Sequence, residues 1–315
     1  MTDILTVTLN PALDVATSVD SVIPGHKLRC APPQTDPGGG GINVARAIMQ
    51  LGGDATAFVA LGGDTGRALE NLLVAANLPL IVHAAPGETR QSLAVTDLTL
   101  NDQFRFMLPG PHWADSDVDA ASAAIRANAV AGGYVILSGS GPSGTRPDLY
   151  ARLCTDLADC GARIIVDTSG PALTLLALGI PAKPYILRMD QAEAESLTRY
   201  PLPQRKDTAS FARELVDRGA ADIVIIARGA DGNVLATADG AWFCPAVNVV
   251  VKSKVGAGDS FVGGFTLALS RGLTLPECLA YGSTAASAAC MSEGTQLCLK
   301  TDFDDLLPKS VSTPL

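Results

Sequence analysis

Positive charge, aromatic residues and histidines are all scarce in this chain. Its 315 residues hold 23 lysines and arginines against 32 aspartates and glutamates, a formal net charge of −9. That balance argues against nucleic acid or an anionic membrane as the main partner, because both call for a basic surface. Small anionic substrates stay open, since a few local cations suffice for them. The histidines, His26, His83 and His112, are too dispersed to suggest an imidazole metal cluster. Seven cysteines are scattered and none stands in a C-x-x-C pair. Zinc-ribbon and dithiol redox motifs are therefore unsupported, and a reducing, cytoplasmic setting is expected. No stretch has the length and purity of a membrane-spanning helix. The N-terminal residues lack a basic region and a long apolar run, so they read as a first strand rather than a signal peptide. The spacing of a Walker A loop is also missing, which argues against the P-loop class.

One stretch stands out, Val255-Gly-Ala-Gly-Asp-Ser260 with the apolar run that follows to residue 270. The run reads as a buried helix, so Gly256, Ala257 and Gly258 fall where it begins. Small residues there leave backbone N–H groups open, and a helix N-terminus carries unpaired donors and partial positive charge. Such a terminus suits a phosphate, or the negative charge that develops in phosphoryl transfer. Asp259, in the first turn, is a carboxylate placed to accept a hydroxyl proton. The same position equally suits an N-cap aspartate with no chemistry. The stretch alone leaves both readings open.

A second glycine run, Pro37-Gly-Gly-Gly-Gly-Ile-Asn43, precedes a helix over residues 44–51. Four glycines permit close approach of backbone to a ligand, or close packing of elements. The length of the run and Asn43 at the helix start favour the ligand loop. Extended pieces at 12–19, 27–30, 90–98 and 101–107 fit a small appended sheet. The last two form a hairpin turning at Asn101 and Asp102. Its alternation sets Phe104 and Phe106 on one face and Arg105 on the other. Such a sheet would project Lys27, Arg29, Arg90 and Arg105, four cations suited to a phosphate-bearing substrate.

Elsewhere strands alternate with helices, ending in a hairpin over 233–237 and 242–244. This implies an α/β fold with a mainly parallel sheet covered by helices. Asp14, Ser140, Asp167, Asp190 and Arg228 follow the carboxyl ends of expected strands, the edge where open α/β sheets bind ligands. Asp167 reads as a metal-associated acid with Glu193 as companion, in the manner of Mg²⁺ held by two carboxylates and phosphates. A turn aspartate is the other reading.

Pro37-Gly-Gly-Gly-Gly-Ile-Asn-Val-Ala45 resembles the first signature of the ribokinase, or PfkB, family of sugar kinases, and Val255-Gly-Ala-Gly-Asp-Ser260 resembles its second. Thr8-Leu-Asn-Pro-Ala-Leu-Asp14, Lys27-Leu-Arg-Cys30, Thr89-Arg-Gln91 and Phe104-Arg-Phe106 are similar to segments of the phosphofructokinase branch. The resemblance spans nearly the whole chain. It implies one ribokinase-like domain over residues 1–315, a doubly wound sheet with a small β lid from residues 12–35 and 90–108. It also implies a lid that clasps a homodimer.

The implied activity is ATP- and Mg²⁺-dependent phosphorylation of a phosphorylated ketohexose. Fructose 6-phosphate comes first, with fructose 1-phosphate and tagatose 6-phosphate as alternatives. By the resemblance Asp259 is the base, and Gly256, Ala257 and Gly258 form the anion hole. Asp14, Lys27, Arg29, Gly39, Gly40, Asn43, Arg90, Arg105 and Ser140 would hold the sugar phosphate. Arg188, Asp190, Glu193, Arg228, Gly229, Gly232, Lys254 and Val255 would form the nucleotide site.

The departures lie on the nucleotide side. Arg188-Met-Asp-Gln-Ala-Glu193 stands where the family usually has Lys-Pro-Asn-x-x-Glu, Ala227 where it has a serine, and Lys254 where it has a threonine. Asp190 brings an anion towards phosphate, and Lys254 a cation that offsets it. A non-catalytic sugar-phosphate sensor is the reading that competes with a kinase. The intact base and anion hole weigh against it.

Overall fold

The computed structural model describes residues 3–315. Strand β1 (Ile4–Thr8) is buried along its whole length. It leads into β2 (Ala12–Val19) and β3 (Gln34–Gly38), then α1 (Gly40–Gln50). β4 (Thr56–Leu61), α2 (Gly63–Ala75) and β5 (Leu80–Ala84) follow. β6 (Arg90–Asp97) and β7 (Asp102–Met107) make a hairpin. Next come α3 (Asp115–Asn128), β8 (Tyr134–Ser138), α4 (Leu149–Asp156) and β9 (Arg163–Asp167). α5 (Gly170–Ala177), β10 (Ile186–Asp190), α6 (Gln191–Thr198), α7 (Arg205–Arg218) and β11 (Ile223–Ala227) continue the alternation. β12 (Gly232–Ala236), β13 (Ala241–Pro245), α8 (Ala257–Ser270), α9 (Leu275–Met291), α10 (Lys300–Leu306) and β14 (Thr313–Pro314) complete the chain.

Ten strands form one sheet in the order β14-β13-β12-β11-β10-β9-β8-β1-β4-β5. From β11 to β5 every neighbouring pair is parallel, and β12 to β14 add an antiparallel edge. Side chains alternate across a strand, so each parallel strand must be apolar on both faces. Ile136, Ile165 and Ile186 pack with α1, α8 and α9 on one side. Their neighbours Leu137, Val166 and Leu187 pack with α3, α4, α5 and α7 on the other. α8 is buried from Ser260 to Ser270 between α1 and α9. The pair Gly263 and Gly264 permits this: a Cβ on the first would stand 3.0 Å from Ala47 Cβ, and on the second 3.0 Å from Tyr281 O.

The second sheet has the order β3-β2-β6-β7. Its register pairs Asp14 with both Asp36 and Ser92, and Ala12 with Arg90. Residues directly paired share a face, so Asp14, Asp36, Arg90, Ser92 and Arg105 lie on one side. Leu13, Val15, Leu93, Val95, Phe104 and Phe106 lie on the other.

Two local expectations are corrected. Residues 27–30 form no strand; the strand beside β2 is Gln34–Gly38. Lys27, Arg29 and Cys30 are exposed on the coil that leads to it. The first glycine-rich helix begins at Gly40, not at residue 44. Asp14 follows β1 and lies inside β2, in the small sheet expected for residues 12–19. The eight-residue helices α5 and α6 were also not expected, because two turns are too short for the 3.6-residue period to emerge.

Candidate active site

α8 begins at Gly256, which caps it in the left-handed region at φ +74°. A side chain there would be strained and would also meet Leu297 Cδ2 at 2.4 Å. Ser260 N returns to Gly256 O at 2.8 Å, whereas no backbone acceptor meets the Gly258 and Asp259 amides. These are the open donors of a helix start, and Ala257 and Gly258 line a cavity of about 610 Å³.

Asp259 is enclosed by protein while keeping a partial opening to solvent. Burial, with Asp167 nearby, pushes its carboxyl up to about 6. Asn43 Nδ2 from α1 donates to Asp259 Oδ2 at 2.9 Å, and Arg188 also acts to keep it charged. A carboxyl tuned this way is ionised at neutral pH yet basic enough to take a proton.

Arg188, in β10, donates through Nη1 to Asp167 Oδ1 at 3.1 Å, with the two side chains only 15% and 12% exposed. Burial disfavours its charge, but Asp167, Asp259 and Glu193 outweigh burial and raise its pKa. The guanidinium lies over the helix start: a Cβ on Gly258 would stand 3.1 Å from both Nη1 and Nη2. Open amides and a fixed cation thus converge beside the Asp259 carboxylate. Arg188, Asp190, Gly229 and Lys254 line the same cavity. Val247, Val249, Val251, Ala286 and Cys290 give it an apolar end. An open cleft of about 660 Å³ between Arg146 and Leu175 contains none of these groups.

The polar face of the small sheet gathers a second set of charges, around Asp14. Burial raises the Asp14 carboxyl, while Arg90, Arg105 and the Ser92 hydroxyl act to lower it. Gly38 leaves space for that carboxylate, since a Cβ there would stand 2.3 Å from Asp14 Oδ2. Asn10 Nδ2 donates to Ser140 Oγ at 3.2 Å, and Arg90 Nε donates to Asn10 O at 3.3 Å.

The glycine run 38–41 serves packing as much as openness. A Cβ on Gly40 would meet Ser138 Oγ at 2.3 Å, and one on Gly41 would meet Val7 O at 2.5 Å. The Ile42 amide is already held by Thr8 Oγ1 at 2.9 Å. Gly39, with φ +133°, is the N-cap of α1.

Three of the residues expected at the nucleotide, Arg228, Asp190 and Glu193, bond to other parts of the protein. Arg228 is 6% exposed, and its guanidinium donates to Asp231 at 2.8 Å, Leu202 O at 2.9 Å and Pro203 O at 3.0 Å, and also to Thr208. It braces the segment before α7 instead of facing the cavity. Asp190 Oδ1 accepts from Glu193 N, and Glu193 Oε2 accepts from Asp190 N, both at 2.8 Å, which makes the pair a capping box for α6. Glu193, Gly232 and Val255 are not part of the cavity wall. Of the two acids expected to share a metal, Asp167 accepts from Arg188 through Oδ1 and Glu193 from the Asp190 amide through Oε2, and the Asp167 charge acts on Glu193. Thr8, Asn10, Ser92 and Arg46 were not singled out from the sequence, because hydroxyl, amide and lone basic residues carry no spacing signature.

No helix among the described residues is long and apolar enough to cross a membrane. The chain matches the family model described as pfkB family carbohydrate kinase over residues 9–302. It is 37% identical over 303 residues to the ATP-dependent 6-phosphofructokinase isozyme 2 of Escherichia coli K12, covering 96% of this chain and 97% of that one. It is 31% identical over 291 residues to the 1-phosphofructokinase of Xanthomonas campestris, covering 92% and 91%. The crystal structure of Escherichia coli phosphofructokinase-2 in complex with fructose-6-phosphate superimposes with a TM-score of 0.89 at 35% identity, covering 98% of this chain and 99% of that one. The chain belongs to the pfkB family of carbohydrate kinases, with a ribokinase-like fold.

Proposed function

We propose that this enzyme transfers the γ-phosphoryl group of ATP to a hydroxyl of a phosphorylated ketohexose, with fructose 6-phosphate giving the 1,6-bisphosphate. The observation that carries this reading is the position of Asp259. It stands in the first turn of α8, next to Ala257 and Gly258 of the cavity wall, and is bonded to Asn43 of α1, whose neighbour Arg46 feels the charge of Asp36 in the small sheet. The acceptor hydroxyl gives its proton to Asp259 as its oxygen bonds to the γ-phosphorus, and the bond to the ADP oxygen breaks. The Gly258 and Asp259 amides and Arg188 hold the charge spread over the phosphoryl oxygens. Asp14 orients the sugar, and Arg90 and Arg105, with Lys27 and Arg29 from the adjoining coil, attract its phosphate.

Mg²⁺ enters this reading as the companion of the nucleotide's phosphates, which bring most of its ligands. The 1-phosphofructokinase relative supports a second reading, with fructose 1-phosphate as acceptor. Initial rates across fructose 6-phosphate, fructose 1-phosphate, tagatose 6-phosphate and fructose separate the two. A rate with fructose equal to that with its phosphates would overturn both.

The apolar lid face supports a homodimer clasped through the small sheet. Phe104 and Phe106 are 39% and 51% exposed there. Equilibrium sedimentation of Phe106→Asp tests it: the variant is expected to be monomeric, and an unchanged mass would remove the clasp. All seven cysteines are unpaired, which supports a reducing, cytoplasmic setting.

A further inference from the structure

Arg46 has no part in the chemistry above, yet it is coupled to the base. It lies one turn along α1 from Asn43, largely enclosed. Burial lowers its pKa, and Asp36 of the small sheet is the acid that opposes this. Its Nη1 donates to Asn43 Oδ1 at 3.4 Å, and Asn43 Nδ2 donates to Asp259 Oδ2 at 2.9 Å. The amide is therefore held between a cation and an anion. Its oxygen meets the guanidinium and its NH₂ meets the carboxylate. Half a turn about χ2 would set donor against donor and acceptor against acceptor, both repulsive.

The two clamping groups differ in one respect. Asp259 takes up a proton during transfer, and a protonated carboxyl can donate to Oδ1 as readily as it accepts from Nδ2. Arg46 keeps its charge throughout, since guanidinium does not titrate in proteins. We propose that Arg46 is a positioning residue for the transfer reaction, holding the Asn43 NH₂ towards Asp259 through the whole protonation cycle. This rests on Asp259 being the base. The other charges acting on Asp259 are Asp167 and Arg188, and Glu193 acts on Arg188. Asn43's side-chain hydrogen bonds run only to Arg46 and Asp259 among the described residues.

The test is the pH dependence of kcat/KM for wild type, Arg46→Met and Arg46→Lys, with Asp259→Asn as control. Loss of the clamp removes the hydrogen bond that favours the ionised base. In Arg46→Met the acid limb is expected to move up by about one pH unit. Turnover at neutral pH is expected to fall about tenfold, within the range of one acid–base contribution. KM for the sugar phosphate should change little, and Arg46→Lys should recover most of the limb. A wild-type limb in Arg46→Met overturns the proposal, whether or not the melting temperature falls. A rise in KM alone also overturns it, making Arg46 a substrate contact. Should Arg46→Met not fold, Arg46→Leu carries the same expectations, because it likewise leaves Asn43 Oδ1 without a donor. Near-wild-type turnover in Asp259→Asn is a different failure: it removes the base itself.

Discussion

Asn43 and Asp259 are 216 residues apart in the chain and share one hydrogen bond of 2.9 Å. The bond exists because α1 and α8 pack against each other on one face of the large sheet, with Gly263 of α8 admitting Ala47 of α1. It joins the amide of one glycine-rich signature to the carboxylate of the other. The Asp259 carboxylate is thereby set by two helices rather than by its own turn.

Replacing Asp259 with Asn removes the proton acceptor and keeps its shape. Turnover should fall by about 10²–10⁴-fold, the range of a general base. The melting curve should show a folded protein. A coupled ADP-release assay, read beside the melt, checks it, and near-wild-type turnover would remove Asp259 from the mechanism.

The acidity of Asp259 also sets pH dependence. Its folded value of about 6 lies above that of an ordinary aspartate, so the folded state binds a proton that the unfolded state has already lost. This group therefore adds stability as pH falls from about 6 towards about 4, the unfolded value, and withholds it at neutral pH. Activity runs the other way, because the protonated carboxyl accepts nothing. kcat/KM should fall about tenfold per unit below pH 6. Asp259→Asn should lose the corresponding slope in stability against pH, measured by urea unfolding. A slope identical to wild type would mean that Asp259 titrates normally.

Arg188 neutralises Asp167 and presents its other nitrogen towards the helix start. Arg188→Met would leave Asp167 enclosed and unpaired next to Asp259. Removing one member of a buried pair typically costs about 3–5 kcal/mol. The Asp259 carboxyl should rise further, since a cation is lost and an anion is freed. KM for the nucleotide should increase and the acid limb should move to higher pH. Urea unfolding and a pH profile check both parts. An unchanged nucleotide KM would confine Arg188 to a structural role.

The lid cations should act on binding rather than on the chemical step. Arg90→Met and Arg105→Met each remove one charge-assisted contact to a phosphate, worth about 1.5–3 kcal/mol, or roughly ten- to a hundredfold in KM. kcat should change little. Steady-state kinetics on the phosphosugar test this, and equal losses on an unphosphorylated sugar would disconnect these arginines from phosphate.

The large features were readable because they are local. Small residues at 256–258 leave a helix start open, the apolar run after them cannot face water, and parallel strands announce themselves as short apolar runs. Each depends on residues a few positions apart. The lid hairpin was readable for the same reason, through its period-two alternation. For the first glycine run the sequence favoured a ligand loop over close packing. The glycines at 38–41 proved to be packed against Asp14, Ser138 and Val7, and so they satisfy steric demands as well as any ligand.

Side-chain partnerships had to wait for the fold. Glu193 caps α6 through Asp190, and Arg228 braces the segment before α7, although both are charged residues in a plausible ligand segment. Arg188 meets Asp167 because β9 and β10 are parallel neighbours and place the two residues opposite each other. The chain alone determined a helix start fit for an anion, an acid beside it and a cationic lid. Strand order and helix packing decided which groups face that acid, since a partner hundreds of residues away is chosen by where the backbone carries it.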